Sequence, residues 1–228
     1  MPDATISAST KPAHKTLSEE ESKELLRPFG VRFPAEAIVR DPDGAAAAAD
    51  ELGLPVVAKL NGDNIAHKTE RGLVRLGLAS SQAVRDATTE LLAAATPKDG
   101  EVSVLVAPMI PSNREFICGV SIDPQFGPII LIGIGGILTE AIADVVLRLV
   151  PITRRDAEEM IDEIRTQDLL GSFRGEVPVD RSALADLLLA LSTASQARSD
   201  ILAIDLNPVL IHDGTPIAVD ALVELSIQ

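Results

Sequence analysis

Apolar positions along the chain switch between a period near 3.6 and a period of two, so helices and strands both follow from the pattern. Ser18-x-x-Glu21 has the spacing of a capping box, opening a helix from Ser18 to about Phe29 that Gly30 closes. Ala37 to Arg40 reads as a short strand. Asp43 caps an alanine-rich helix ended by Gly53, and the β-branched run Pro55-Val-Val-Ala-Lys59-Leu60 is the next strand. The polar stretch 61–72 is a loop, Val74 to Leu78 the returning strand, and Ser81 to Ala95 a helix before the break Thr96-Pro-Lys-Asp-Gly100.

The second half opens with a strand from Val102 to Val106. Glu115 to Ile122 and Ile129 to Ile132 are further strands, and Thr139 to Val146 reads as a short helix behind a glycine-rich turn. Helices follow at Thr153 to Arg165 and Arg181 to Arg198. Ile201 to Asn207 and Ile217 to Asp220 flank His212-Asp-Gly214, a hairpin signal. The pattern predicts an α+β (α/β) chain divided into a tail at 1–15, an N-terminal lobe at 16–101 and a C-terminal lobe at 102–228.

Composition narrows the function. With 46% hydrophobic and 24% charged residues, 228 residues can bury a sizeable core. A formal charge of −14, from 20 Lys plus Arg against 34 Asp plus Glu, repels phosphate backbones and anionic lipid, so neither nucleic acid nor a membrane surface is an expected partner. The absence of Trp and Tyr, with only five Phe, also removes the stacking side chains of single-strand binders. One cysteine, no signal-type N-terminus and no long apolar run lead to the expectation of a cytoplasmic protein.

Candidate chemistry then stands out against this acidic background. Lys59 lies on an apolar strand, where a buried ammonium needs an anion such as phosphate beside it, unless the side chain faces solvent. His67 shares its loop with Lys68 and Arg71, a setting for an imidazole to meet a phosphate or simply a solvated loop. Gly133-Ile-Gly135-Gly136 fits neither G-x-G-x-x-G nor a P-loop, leaving a tight turn or a backbone approach to phosphate. Asp205 and Asn207 share a face of their strand by period two, and with Asp220 they can form the oxygen-rich set that Mg²⁺ takes together with substrate phosphates. Turn formation explains the same residues. Glu140, Asp144 and Arg148 fall at i, i+4 and i+8 as a helical salt-bridge ladder.

The order of these phrases carries a resemblance. Pro55-Val-Val-Ala-Lys59, Ile65-Ala-His67-Lys68-Thr, Arg114-Glu115, Asp123-Pro-Gln-Phe-Gly-Pro128, Gly133-Ile-Gly-Gly136, Asp205-Leu-Asn-Pro208 and Val219-Asp220-Ala succeed one another as in the β subunits of NDP-forming (ADP-forming) acyl-CoA synthetases, relatives of succinyl-CoA synthetase. Over about residues 15–225 the chain resembles that ATP-grasp subunit. The resemblance implies an ATP-grasp fold with the nucleotide cleft between two lobes, ATP or ADP as substrate, Mg²⁺, and the reversible reaction acyl-CoA + ADP + phosphate = acid + CoA + ATP.

It implies a separate α subunit, or α region, that binds CoA and carries the first phosphohistidine. On this side His67 would be the catalytic phosphate carrier and Lys59 would contact nucleotide phosphates. Val106, Pro108 and Met109 would form the adenine hinge, with Arg114 and Glu115 also at the nucleotide. Asn207, Asp220 and Asp205 would hold the metal, and Lys68, Arg71, Gly135 and Gly136 would approach the phosphates. The hinge reads Ala107-Pro108 where many relatives have Gln-Glu, which keeps open a non-catalytic nucleotide-binding scaffold. A self-contained ATP-grasp carboxylate ligase is the other alternative.

Overall fold

A computed structural model describes residues 14–62, 65, 68–136 and 142–227. Two antiparallel sheets organise them. The small sheet joins β2 (Ala37–Val39), β5 (Val102–Pro108), β3 (Val56–Gly62) and β4 (Val74–Leu78) in that order. The large sheet runs β1 (His14–Thr16), β11 (Leu222–Ser226), β9 (Ile201–His212), β6 (Glu115–Asp123), β7 (Gly127–Ile134) and β8 (Val145–Leu149), with β10 (Thr215–Ala218) paired to β9.

Sheet membership does not follow the expected cut at 101/102. β5 lies between β2 and β3, with Val104 opposite both Val39 and Leu60, so the small sheet reaches Pro108. Conversely, His14 and Lys15 pair with Ser226 and Leu225 on β11 and are not tail, while residues 1–13 lie outside the described residues. Helix α1 (Glu19–Leu26) also joins the large sheet's core through Leu26. The small lobe is thus inserted into the large one. Strand pairing between distant residues fixes this, and local pattern does not contain it.

Each lobe packs helices on one face of its sheet. In the small lobe α2 (Pro42–Leu52) and α3 (Ser81–Ala93) bury Ala45, Ala49, Val84 and Leu91 against Ala58, Leu60 and Val104. In the large lobe α4 (Arg154–Glu163) and α5 (Arg181–Ala197) cover Cys118, Val120, Ile130, Ile132, Ile204 and Leu206 with Met160, Leu184, Leu188 and Leu191. Burial of one such side chain contributes about 1.5–3 kcal/mol. Because β-strand side chains alternate, Ala203, Asp205 and Asn207 point away from that core, and so do Lys59 and Asn61 away from the small lobe's.

The capping box at Ser18 forms as expected, with Glu21 N donating to Ser18 Oγ at 3.2 Å and Ser18 N to Glu21 Oε2 at 3.0 Å. The alanine-rich helix is capped by Asp41, not Asp43. Pro42 occupies the first helical position, where its missing N–H costs nothing, and Gly44 N donates to Asp41 Oδ1 at 2.8 Å. The helix expected at Thr139 to Val146 fails at its end, since Val145 and Val146 open β8 and Leu147 pairs with Leu131 on β7; residues 137–141 lie outside the described residues. The Asp144–Arg148 pair of the expected salt-bridge ladder does not form, and Glu140 lies outside the described residues. Asp144 instead accepts from the Arg165 and Thr166 backbone at 3.1 and 2.8 Å, and Arg148 pairs with Glu163. The predicted hairpin turn is present, with Asp213 and Gly214 both at positive φ as a type I′ turn requires.

Candidate functional site

The lobes meet at one buried carboxylate. The Ser18 cap makes Glu19 the first residue of α1, and its side chain is fully buried. Lys23, one turn on, reaches Glu19 Oε1 at 2.8 Å and Glu36 at 2.6 Å. Lys59 on β3 donates to Glu19 Oε1 and to the Val219 carbonyl, both at 2.8 Å, with Asp220 Oδ2 at 3.7 Å. Lys68 lies 2.8 Å from Glu19 Oε2 and 3.6 Å from Asp220 Oδ1. Asp220 follows β10 in the large sheet, so the cluster binds small lobe to large.

Electrostatics follow from this packing. Burial alone would raise the Glu19 carboxyl, but Lys59, Lys68 and Lys23 outweigh it and hold the group well below the usual carboxylate range. Burial would likewise lower Lys59, yet Glu19 and Asp220 keep it above an ordinary lysine. Asp220 moves the other way. Burial raises its carboxyl, Lys59 only partly offsets this, and the neighbouring Glu19 adds to it. Asp220 is the member of the cluster whose charge the fold opposes.

Two members of this cluster, Lys68 and Asp220, line a cavity of about 400 Å³. Lys68, Thr69 and Glu70 form one wall, and Asp205, Asn207, Asp220 and Glu224 on the open face of the large sheet form the other. Asp205 and Asn207 share the exposed face of β9, as their spacing predicts, and Leu222 on β11 lies opposite Asp205. Among the described residues no three His, Cys, Asp or Glu side chains gather as a metal cluster. Two carboxylates and an amide oxygen on one cavity wall do fit Mg²⁺, which takes few protein ligands and completes its octahedron with water and substrate phosphates.

Other sequence candidates fall outside this set. Arg114 is fully buried and committed internally, donating from Nε to Glu176 at 2.8 Å and from its two Nη atoms to the carbonyls of Gly171 at 3.0 Å and Val177 at 2.6 Å. It pins the 169–177 segment. Arg71 forks onto Asp99 at 2.8 and 3.0 Å, and this partner, with the Thr96 N–H, holds the Asp99 carboxyl far below its ordinary range. That pair ties the turn at residues 68–72 to the end of the 96–99 segment.

Gly135 is required by β6, because a Cβ there would lie 3.1 Å from the Glu115 backbone; Gly136 faces the Glu115 carboxylate. Glu115 is half-buried at the start of β6. Val106 is buried in the small-lobe core with strands on both sides, so its part in a hinge is structural. Pro108 ends β5, and Met109 begins the link to the large sheet, its N–H donating to the Pro55 carbonyl at 3.0 Å and its side chain exposed. His67 lies outside the described residues. Glu19 is the residue the sequence reading missed. Its one local signal is a lysine at i+4, and the Ser18–Glu21 box drew attention to the wrong glutamate.

Comparison with known proteins identifies the fold and family. Residues 8–225 match the ATP-grasp domain model, so the chain belongs to the ATP-grasp family. Within it, the chain is 36% identical over 214 residues, 92% of each chain, to the β subunit of the ADP-forming acetate–CoA ligase I of Pyrococcus furiosus. Its fold matches the Ca. Korarchaeum cryptofilum dinucleotide-forming acetyl-coenzyme A synthetase 1 in complex with coenzyme A and Ca-AMPCP, with TM-score 0.85, 33% identity and 92% and 93% of the two chains covered. The same enzyme with Mg-AMPPCP, its phosphohistidine segment pointing towards the nucleotide binding site, matches with TM-score 0.78 at 33% identity over the same shares.

Proposed function

We propose that this chain is the nucleotide-binding β subunit of an ADP-forming acyl-CoA synthetase, catalysing with an α partner the reversible reaction acyl-CoA + ADP + phosphate = acid + CoA + ATP. The observation that carries the reading is the cavity between the lobes, where Lys68 faces Asp205, Asn207 and Asp220. Phosphoryl transfer demands positioning and charge neutralisation more than covalent chemistry from the protein, and these groups can supply both.

Lys68 neutralises phosphate charge from the small-lobe side. Asn207 and Asp220, with Asp205 beside them, would hold Mg²⁺. When bound, that ion would supply charge neutralisation to the phosphates. The link that begins at Met109 would take the base, with Glu115 nearby. His67 would accept the phosphoryl group as the P–N bond to the α-subunit histidine breaks and a new P–N bond forms, then release it to the terminal oxygen of ADP. The α partner would bring CoA and the acyl site, in a cytoplasmic assembly.

The test is ATP formation by the chain together with its α partner, supplied with acyl-CoA, ADP and phosphate. Activity that His67→Ala abolishes is the expected result. An active His67→Ala assembly would remove that relay, and Mg·ADP binding without transfer would favour a nucleotide-binding scaffold.

A further inference from the structure

Lys59 and Lys68 enter the junction from the same lobe, yet the structure gives them different surroundings. Lys59 Nζ carries three N–H groups and meets three acceptors inside the protein: Glu19 Oε1 and the Val219 carbonyl at 2.8 Å, and Asp220 Oδ2 at 3.7 Å. It does not line the cavity. Lys68 does, and its internal contacts are Glu19 Oε2 at 2.8 Å and the more distant Asp220 Oδ1 at 3.6 Å. Glu19 Oε2 has this ion-pair contact without a well-angled hydrogen bond, so Lys68 is aimed by the carboxylate and is not saturated by it.

The turn that holds Lys68 explains why such an anchor matters. The Lys68 carbonyl accepts from Leu73 N at 2.8 Å, closing the turn that returns to β4. A four-carbon side chain in a turn has ample rotamer freedom, and holding it at one place costs conformational entropy. Glu19 supplies a fixed point. It sits on the first turn of α1, is locked by the Ser18 cap, and is packed to full burial in the large lobe.

We propose that Glu19 is a positioning residue of the nucleotide site: its buried carboxylate fixes Lys68 at the cavity mouth as the cation that meets the nucleotide phosphates, while Lys59 serves as a strut tying Glu19 to Val219 and Asp220. This rests on the nucleotide reading above. Glu19 itself touches no phosphate and acts through Lys68.

A double-mutant cycle on Mg·ADP affinity, measured by calorimetry on the full chain, tests it. Lys68→Met and Glu19→Gln should each weaken binding roughly tenfold or more. The double variant should bind about as weakly as Lys68→Met alone, because Glu19 has no lysine left to aim. A purely structural role for Glu19 would make the two losses multiply, and that result overturns the proposal. Unchanged or tighter binding by Glu19→Gln overturns it as well. If Glu19→Gln does not fold, Glu19→Asp takes its place in the cycle: its carboxylate, one methylene shorter, should lose several-fold in affinity, and wild-type affinity would overturn the proposal. Wild-type protein that binds no Mg·ADP refutes the nucleotide reading instead, so the two failures are distinguishable.

Discussion

Two buried cations, Lys68 and Arg114, both drew a nucleotide role from the sequence, and the structure separates them by the kind of partner each has. Arg114 meets backbone carbonyls of Gly171 and Val177 and one carboxylate, Glu176, at the side of the large sheet. Those carbonyls belong to the segment that Arg114 holds in place, so its bonds are internal scaffolding. Among the described residues Lys68 meets carboxylates, and one of them, Asp220, lies on a cavity wall. A cation among fixed carbonyls stabilises a fold; a cation among carboxylates beside a cavity can also meet an incoming anion and cation together. Burial and charge alone do not distinguish the two.

The largest expected effect breaks this comparison on the structural side. Arg114→Ala deletes a fully buried guanidinium and the donors to the Gly171 and Val177 carbonyls, while part-exposed Glu176 keeps its bonds from Asn113, and loss of such charge-assisted hydrogen bonds costs about 1.5–3 kcal/mol. Thermal unfolding should show that loss, while Mg·ADP affinity of the folded fraction at low temperature should stay within about twofold of wild type. A stable Arg114→Ala protein with no ADP affinity would return Arg114 to the nucleotide site.

Next comes Glu19, which belongs to both classes. Its carboxyl lies well below the ordinary range in the folded protein, so it contributes stability that is fully present above the unfolded value of about 4.3 and is lost as pH falls through the folded value. Wild type should therefore exceed Glu19→Gln in Tm by a constant margin near neutral pH, and the margin should close on acidification below about pH 4. A margin independent of pH down to 2 would mean that shape, not charge, makes Glu19 matter.

The part of this picture legible in the sequence was the part governed by neighbours in the chain. The Ser18–Glu21 box, the Asp213-Gly214 turn and the shared face of Asp205 and Asn207 all follow from local geometry, and all are present. Pro42 was also local, and giving it the first helical position would have found Asp41 as the cap. Non-local pairing was not legible. Nothing near Val102 announces that its strand inserts between β2 and β3, and nothing near Val145 announces that β7 recruits it as an edge. Glu19 was hidden for the same reason, since two of its three lysines arrive from 40 and 49 positions away. Three residues of the family motifs line one cavity wall, while Arg114 and Arg71 are hydrogen-bonded within the protein, because a motif records which residues occur together and not which atoms they spend on one another.

The smallest expected change in stability comes from Asp220→Asn, and it sharpens the comparison most. Burial raises the Asp220 carboxyl, so the folded protein disfavours its ionised form. An amide removes that unfavourable charge but also loosens Lys59 and Lys68 at 3.7 and 3.6 Å, and the two effects oppose each other. The net change in unfolding free energy should stay below about 1 kcal/mol, in either direction. Mg·ADP affinity should nonetheless fall by about tenfold or more, equivalent to at least about 1.4 kcal/mol, because an amide oxygen replaces a carboxylate on the wall that would hold the cation. Calorimetry and thermal unfolding on the same variant read both quantities. A residue retained against the preference of the fold, whose loss costs binding and not stability, is there for the ligand; a large stability loss with intact affinity would place Asp220 beside Arg114 as scaffolding.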